Sequence, residues 1–162
     1  MDVLIRRVTR EDLAEINRVR NNKFVLDNCW NNKPTTYEER EKWFESIVED
    51  QDSFEYCICL DDEVVGQCSL KINPQNKRAE FGIYVTKECV GKGIAKEAMR
   101  QLLFIGFEGG LHKIYGQVFA FNKKALRFYE KLGFKREATL KDQLYRDGRF
   151  YDVHIVSIIE EE

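Results

Sequence analysis

Two rhythms of apolar positions run along this chain, and the places where one gives way to the other mark its elements. Leu4-Ile5-Arg6-Arg7-Val8 reads as a short strand. Thr9-Arg10-Glu11-Asp12 is an N-cap signal, after which Leu13, Ile16, Val19 and Arg20 fall at helical spacing. Asn21-Asn22 ends that helix. Thr36-Tyr37-Glu38-Glu39 has capping-box spacing, and Trp43, Phe44 and Ile47 give a second helix its apolar stripe. The period then shortens to two. Tyr56–Leu60, Val64–Leu70 and Ala79–Val85 read as strands, parted by turns at Asp61-Asp62-Glu63 and Asn73-Pro74-Gln75-Asn76.

The helical rhythm returns with Ala95, Ala98, Met99, Leu102 and Ile105, and Gly109-Gly110 stops it. A strand from Lys113 to Phe119 follows. A helix opening at Asn122 carries Ala125, Phe128, Tyr129 and Leu132 on one side and is capped by Gly133. Lys135–Tyr145 and Phe150–Ile159 flank Arg146-Asp147-Gly148-Arg149, whose Asp-Gly pair signals a hairpin. Early hairpin-linked strands followed by strand–helix–strand units predict an α/β fold of the α+β kind. Its mixed, mostly antiparallel sheet has about seven strands flanked by about four helices. With 162 residues the chain is expected to form a single domain, 1–162.

Composition narrows the class. Hydrophobic content of 43% and charged content of 33% describe a globular chain rather than a disordered one. No apolar run approaches the ~20 residues of a membrane span, and no signal-peptide apolar region opens the chain, so no membrane partner is expected. Five cysteines at irregular spacing, with only His112 and His154 available as further soft ligands, read as reduced thiols with no metal site. A cytoplasmic setting is the expectation. Net charge is −2 and no basic stripe interleaves with aromatics, so no nucleic-acid partner is expected. The charge is uneven, however. Glu38 to Glu63 holds eleven acids against two bases, and Thr86 to Arg149 holds fourteen bases against seven acids. The basic half suits a polyanionic ligand and the acidic half a cationic one.

The chemistry concentrates at Val85-Thr86-Lys87-Glu88-Cys89-Val90-Gly91-Lys92-Gly93-Ile94-Ala95, where a strand feeds a glycine-bearing turn and then a helix. Glycines there let backbone N–H groups approach a ligand that a Cβ would block, and the first helical turn adds free N–H groups and a positive dipole end. The segment reads as a phosphate cradle. Some thirty residues on stands Asn122-Lys123-Lys124-Ala125-Leu126-Arg127-Phe128-Tyr129-Glu130-Lys131-Leu132-Gly133-Phe134. Together the two segments resemble the acetyl-CoA-binding and catalytic motifs of the GNAT superfamily of N-acetyltransferases. The likeness is strong over about residues 60–159 and holds in outline before that. The family's pyrophosphate loop has Gln or Arg, two residues, Gly, one residue, then Gly or Ala. Here those positions are Val90, Gly93 and Ala95, and Val90 departs from the pattern.

The resemblance implies acetyl-CoA as cosubstrate and a primary amine, on a small molecule or a peptide, as acceptor. The pyrophosphate would meet the N–H groups of Gly91, Lys92, Gly93, Ile94 and Ala95, and the pantetheine arm the backbone near Ile83 and Val85. An N–H near Ile83 would also serve the oxyanion. Asn122 would contact the CoA arm, a role compatible with plain helix capping, and Lys92 and Lys124 would reach phosphates. Tyr129 matches the tyrosine that protonates the departing thiolate. Glu80 lies on the strand where similar enzymes carry a carboxylate, and it reads either as the base or as a salt-bridge partner of Lys71 or Arg78. Strand alternation puts Glu80, Gly82 and Tyr84 on one face. No Ser or Cys is placed for a covalent route, and Cys89 is expected exposed or packed.

The branch most similar to this chain includes ribosomal-protein, polyamine and nucleotide-amino-sugar acetyltransferases. There Arg20 to Trp30 and Tyr37 to Glu49 would wall the acceptor site. The acids favour a small cationic amine, whereas Arg18, Arg20 and Lys23 suit the phosphates of an amino-sugar nucleotide. A protein N-terminus is the third acceptor class. The resemblance leaves room for a homodimer. The alternative function is a CoA-binding or regulatory domain without turnover.

Overall fold

The computed structural model describes residues 2–161. In chain order the elements are β1 (Val3–Arg7), α1 (Leu13–Arg20), α2 (Lys23–Leu26), α3 (Tyr37–Glu49), β2 (Ser53–Leu60), β3 (Glu63–Asn73), β4 (Arg78–Val85), α4 (Ile94–Glu108), β5 (Lys113–Phe119), α5 (Lys123–Lys131), β6 (Lys135–Arg146) and β7 (Arg149–Ile159). The strands form one seven-stranded sheet in the order β1-β2-β3-β4-β5-β7-β6. Only β4 and β5 run parallel, joined by the α4 crossover. This is the mixed, mostly antiparallel sheet that the sequence predicts. The helix count differs by one short piece. Asn22, read as part of a helix end, also starts the single turn α2 by accepting the Phe24 N–H at 3.0 Å. Burial of Val25 and Leu26 holds that turn in place.

Alternation along the strands sorts side chains to two faces. On one, α4 lays Ile94, Ala98, Met99 and Leu102 over Ile58, Leu70, Ala79, Phe81 and Ile114, all within one core cluster. Fully burying side chains of this size stabilises the fold by ~1.5–3 kcal/mol each. On the other face, Ile16 of α1 packs on Cys57, Cys59 and Val64. The five cysteines are free, and Cys89 is packed rather than exposed, accepting the Thr86 hydroxyl at Sγ. The capping box at α3 forms as its spacing predicts: Thr36 Oγ1 accepts from Glu39 N–H at 3.1 Å, and Glu39 Oε1 accepts from Thr36 N–H at 3.3 Å. The Asp147-Gly148 turn has φ of 52° and 77°, both in the left-handed region that a two-residue hairpin turn needs.

An ion pair ties β1 to the start of α1. Arg6 donates through both terminal nitrogens to Asp12, each at 2.8 Å, and Thr9 adds its N–H and hydroxyl to the same carboxylate. The Asp12 side chain is 9% exposed. Hydrogen bonding to Arg6 holds this carboxyl well below the usual carboxylate range. Asp12→Ala removes the partner of two Thr9 donors and of a partly exposed guanidinium that water can still solvate, and should cost about 1–2 kcal/mol of stability. A group with a depressed folded-state pKa contributes fully above its unfolded value, near ~4, and loses that contribution as pH falls below it. Melting curves at pH 7 and pH 3 should therefore show a larger gap between wild type and Asp12→Ala at pH 7.

Candidate active site

β4 and β5 pair over only three positions, Arg78↔Lys113, Ala79↔Ile114 and Glu80↔Tyr115. Beyond Glu80 both strands continue without pairing, so a gap opens toward their C-terminal ends. The backbone chemistry of its β4 wall follows from the neighbouring ladder. Thr86 N–H donates to Val65 O of β3 at 2.9 Å. Antiparallel alternation then turns even-numbered residues of β4 toward β3, and the N–H and C=O groups of Phe81, Ile83 and Val85 toward the gap. The same alternation sends Lys77 O to His112 N–H at 2.7 Å, on the β5 side. Ile83 and Val85 thus line the gap with unpaired backbone, the arrangement needed to bind an extended amide-bearing arm.

Gly116 lies beside Phe81 at the apex of the gap. A Cβ there would lie 2.3 Å from the Phe81 ring. The absent side chain lets Phe81 lean against β5 at the apex. Tyr129 of α5 packs on Phe81 with ring centroids 5.2 Å apart, and on Phe134 at 5.6 Å. Its burial raises the phenol pKa, so the hydroxyl stays protonated at neutral pH and remains a donor. Tyr129 is 8% exposed, and its hydroxyl makes no hydrogen bond among the described residues.

Each wall of the gap leads into a helix N-terminus. β4 passes through a 3-10 turn, Lys87–Cys89, to the glycine turn and α4. Gly91 and Gly93 have φ of 78° and 82°, in the left-handed region, and a Cβ at either would meet nothing within 4 Å. These glycines are therefore required by backbone conformation and by what approaches from outside, not by packing within the chain. No backbone acceptor serves the N–H groups of Gly91, Lys92, Gly93, Ile94 or Ala95 among the described residues. Ile94 anchors the helix start at 1% exposure. β5 leads to α5, whose N-cap is Asn122. Its Oδ1 accepts from Ala125 N–H at 3.2 Å, and its Nδ2 donates to Asn28 Oδ1 at 3.0 Å. The capping reading of Asn122 is thus realised. Lys92 and Lys124 stand exposed at the two helix starts.

Glu80 closes the gap at its apex on the opposite face from Tyr129. It is half-buried, accepts from Gln117 Nε2 at 3.2 Å, and makes no ion pair among the described residues with Lys71 or Arg78. On that face, beyond Glu80, lies a cavity of about 210 Å³ lined by Arg20, Arg40, Trp43, Glu55, Gln67, Ser69, Gly82 and Tyr84. The register explains it: Glu55↔Ser69 and Ser69↔Gly82 place three residues in one row across β2, β3 and β4. Gln67 and Tyr84 form part of the next row. Gln67 Nε2 donates to Glu55 Oε2 at 2.8 Å, and the Tyr84 hydroxyl donates to Gln67 Oε1. Burial pushes the Glu55 carboxyl up to about 7. Of the eleven acids between Glu38 and Glu63, Glu55 alone lines this cavity. No acid of α3 lines this cavity.

Arg40, Glu55 and Gln67 are lining residues that the sequence does not single out. Glu55 carried the one available signal, a lone carboxylate in a strand two residues before the core-facing Cys57.

Residues 2–135 match the family model of the acetyltransferase (GNAT) domain. The chain belongs to the GNAT acetyltransferase family. It is 31% identical over 150 residues to the spermidine N(1)-acetyltransferase of Escherichia coli strain K12, covering 91% of this chain and 81% of that one. The crystal structure of spermidine N-acetyltransferase from Vibrio cholerae, in complex with CoA and spermine, superposes with a TM-score of 0.90 at 28% identity, over 97% of this chain and 95% of that one. Ribosomal-protein-alanine N-acetyltransferase from Brucella melitensis shares the fold at a TM-score of 0.83 and 24% identity, over 97% of this chain and 99% of that one. This GNAT member is an enzyme, an N-acetyltransferase that moves an acetyl group to an amine. Among its described residues, no helix is long and apolar enough to cross a membrane, and no three His, Cys, Asp or Glu side chains cluster to hold a metal.

Proposed function

We propose that this acetyltransferase takes acetyl-CoA as donor and passes the acetyl group in one step to a primary amine of a small molecule or peptide, in the cytoplasm. The observation that carries the reading is the β4–β5 gap, with free backbone at Ile83 and Val85, a glycine-turn anion cradle at one lip and Tyr129 at the apex. The cradle of Gly91–Ala95 holds the pyrophosphate, with Lys92 and Lys124 adding charge at its rim. The Ile83 and Val85 backbone holds the pantetheine arm and aims an N–H at the thioester oxygen. Asn122 meets the CoA arm while keeping its cap.

An alkylamine is neutral about one time in a thousand at pH 7, a deficit of roughly 4 kcal/mol. Glu80 removes the ammonium proton, directly or through water. The neutral amine nitrogen then attacks the thioester carbonyl and forms the C–N bond; as the C–S bond breaks, the thiolate takes the Tyr129 proton, the nitrogen loses its second proton to solvent, and solvent returns a proton to the Tyr129 phenolate. Single-step transfer is favoured because the thiol beside the cavity is inert. Burial pushes Cys68 well above the usual thiol range, which suppresses its nucleophilic thiolate. Polyamines, named for the Escherichia coli and Vibrio cholerae relatives, are the first acceptors to test. Thiol release from acetyl-CoA should be amine-dependent. A folded protein that binds CoA and releases no thiol with any amine would leave only the binding-domain reading.

Gly93→Asp tests the cradle. Nothing in the chain opposes the new side chain, so the fold should persist with a strain of about 1 kcal/mol from the left-handed φ. The carboxylate would repel the pyrophosphate, and acetyl-CoA affinity should fall at least about tenfold, about 1.4 kcal/mol. Unchanged affinity by calorimetry in the folded variant would displace the pyrophosphate from this loop.

A further inference from the structure

The cavity on the Glu80 face holds two guanidiniums, Arg20 and Arg40, and neither forms an ion pair among the described residues. Arg40 is 7% exposed, with Nε donating to Asn17 Oδ1 at a long 3.4 Å and its plane lying over the Trp43 ring at 4.9 Å. Arg20 Nη2 donates to Asn31 O at 2.8 Å, but its Nη1 is buried with no partner, the single such side-chain atom among the described residues. Buried donors are nearly always satisfied, and a charged one left empty marks a place where a ligand group belongs.

The two arginines are held there by structure. Asn17 and Asn21 both donate to Thr35 O at 2.8 Å, and Asn21 Oδ1 accepts from Thr35 N–H at 2.8 Å, fixing α1 to the start of α3. The one carboxylate in the lining, Glu55, forms no ion pair with either arginine among the described residues. It is bound to Gln67 instead, and burial keeps it close to half-protonated at neutral pH. Burial pushes the Arg40 guanidinium down; the Arg20 charge adds to this, while Tyr84 and Glu55 oppose it. Two guanidiniums gathered in one pocket, with no ion-paired carboxylate and at most one partly ionised carboxyl beside them, suit an anion.

We infer that the acceptor amine of this enzyme also carries an anionic group, a phosphate or a carboxylate, bound between Arg20 and Arg40. The inference rests on the acetyl-transfer reading above and departs from the polycationic acceptors named for the relatives. A polyamine in this pocket would bring further positive charge to two unpaired guanidiniums. An anionic amine satisfies the free Nη1 and leaves Glu55 and the gap at Gly82 for its nitrogen.

The test separates anion binding from turnover. With the protein saturated in CoA, so that the glycine cradle is filled, inorganic phosphate, pyrophosphate and acetate are titrated by calorimetry into wild type and Arg20→Gln. At least one anion should bind wild type and bind Arg20→Gln at least about tenfold more weakly. Circular dichroism and CoA affinity confirm that the variant is folded, and Arg20→Lys should recover part of the binding. Kinetics then compares matched amines: glucosamine 6-phosphate with glucosamine, an amino-sugar nucleotide with the free amino sugar, alanine with alaninamide, and spermidine. The phosphate pairs and the carboxylate pair identify which anion is read. The anionic member should win by at least about tenfold in kcat/KM, and Arg20→Gln should remove that advantage through the amine KM while leaving the acetyl-CoA KM unchanged. Absence of any anion binding to folded, CoA-loaded wild type overturns the inference. So does spermidine turnover that exceeds every anionic amine and is unaffected by Arg20→Gln. Both outcomes leave the acetyltransferase reading standing. Failure to bind CoA, or thiol release with none of the amines, sinks that reading instead.

Discussion

Tyr129→Phe is expected to lower turnover about 10²–10⁴-fold while acetyl-CoA affinity stays within about threefold. The substitution keeps the ring packed on Phe81, Phe128 and Phe134 and deletes one hydroxyl. That hydroxyl has no protein partner among the described residues, so its removal strands nothing and stability should hold. The leaving thiolate is what suffers. A free thiol titrates near ~8.5 and a phenol near ~10, so full proton transfer is uphill by roughly 2 kcal/mol in water. Burial raises the phenol further in the empty site, but a thiolate expelled beside it is equally desolvated, and a hydrogen bond there strengthens as the C–S bond lengthens. The loss should therefore appear in kcat, and it should shrink with thioesters whose thiol is more acidic. A fall of less than threefold with a verified amine would make Tyr129 a core residue and nothing more.

What the sequence made legible was local. The capping box at Thr36, the Asp-Gly turn at Asp147 and the glycine turn at Gly91–Gly93 each carry their conformation in a few adjacent residues, and each is found where it was read. The order of strands and helices follows from period alone, because a two-to-3.6 switch is a local signal too. The splay of β4 from β5 has no such signature. At its apex Phe81 meets Gly116, residues from different strands, and no spacing along the chain announces that contact. The cavity is similar. Arg20, Arg40, Glu55 and Gln67 come from α1, α3, β2 and β3, and they converge only because the register puts Glu55, Ser69 and Gly82 in one row. The acidic run around α3 shows the same limit. Charge counted along a helix says nothing of which side faces inward, and the residues α3 turns into the pocket are Arg40 and Trp43.

Glu80→Gln should reduce turnover about 10²-fold near pH 7 and recover much of it near pH 10. The carboxylate sits at the apex of the gap, on the face that carries the cavity lined by Arg20 and Arg40, two residues before Gly82. An ammonium arriving there must shed a proton before its nitrogen can attack. Glutamine keeps the shape but cannot accept that proton. At pH 7 the variant then depends on the roughly one-in-a-thousand fraction of amine already neutral in solution, and each unit of pH raises that fraction about tenfold. Its pH–rate profile should accordingly be steeper than that of wild type and converge with it at high pH. A purely structural Glu80 predicts a different pattern. Gln117 Nε2 donates to this carboxylate at 3.2 Å, and a glutamine oxygen can accept the same bond, so a structural role would give a small drop in melting temperature and a uniformly scaled profile. Because no lysine or arginine pairs with Glu80 among the described residues, removing its charge strands no cation, and the stability change should stay below about 1 kcal/mol. Measuring melting temperature and pH profile on the same preparation separates the two. A stable variant whose profile parallels the wild type would take Glu80 out of the proton path.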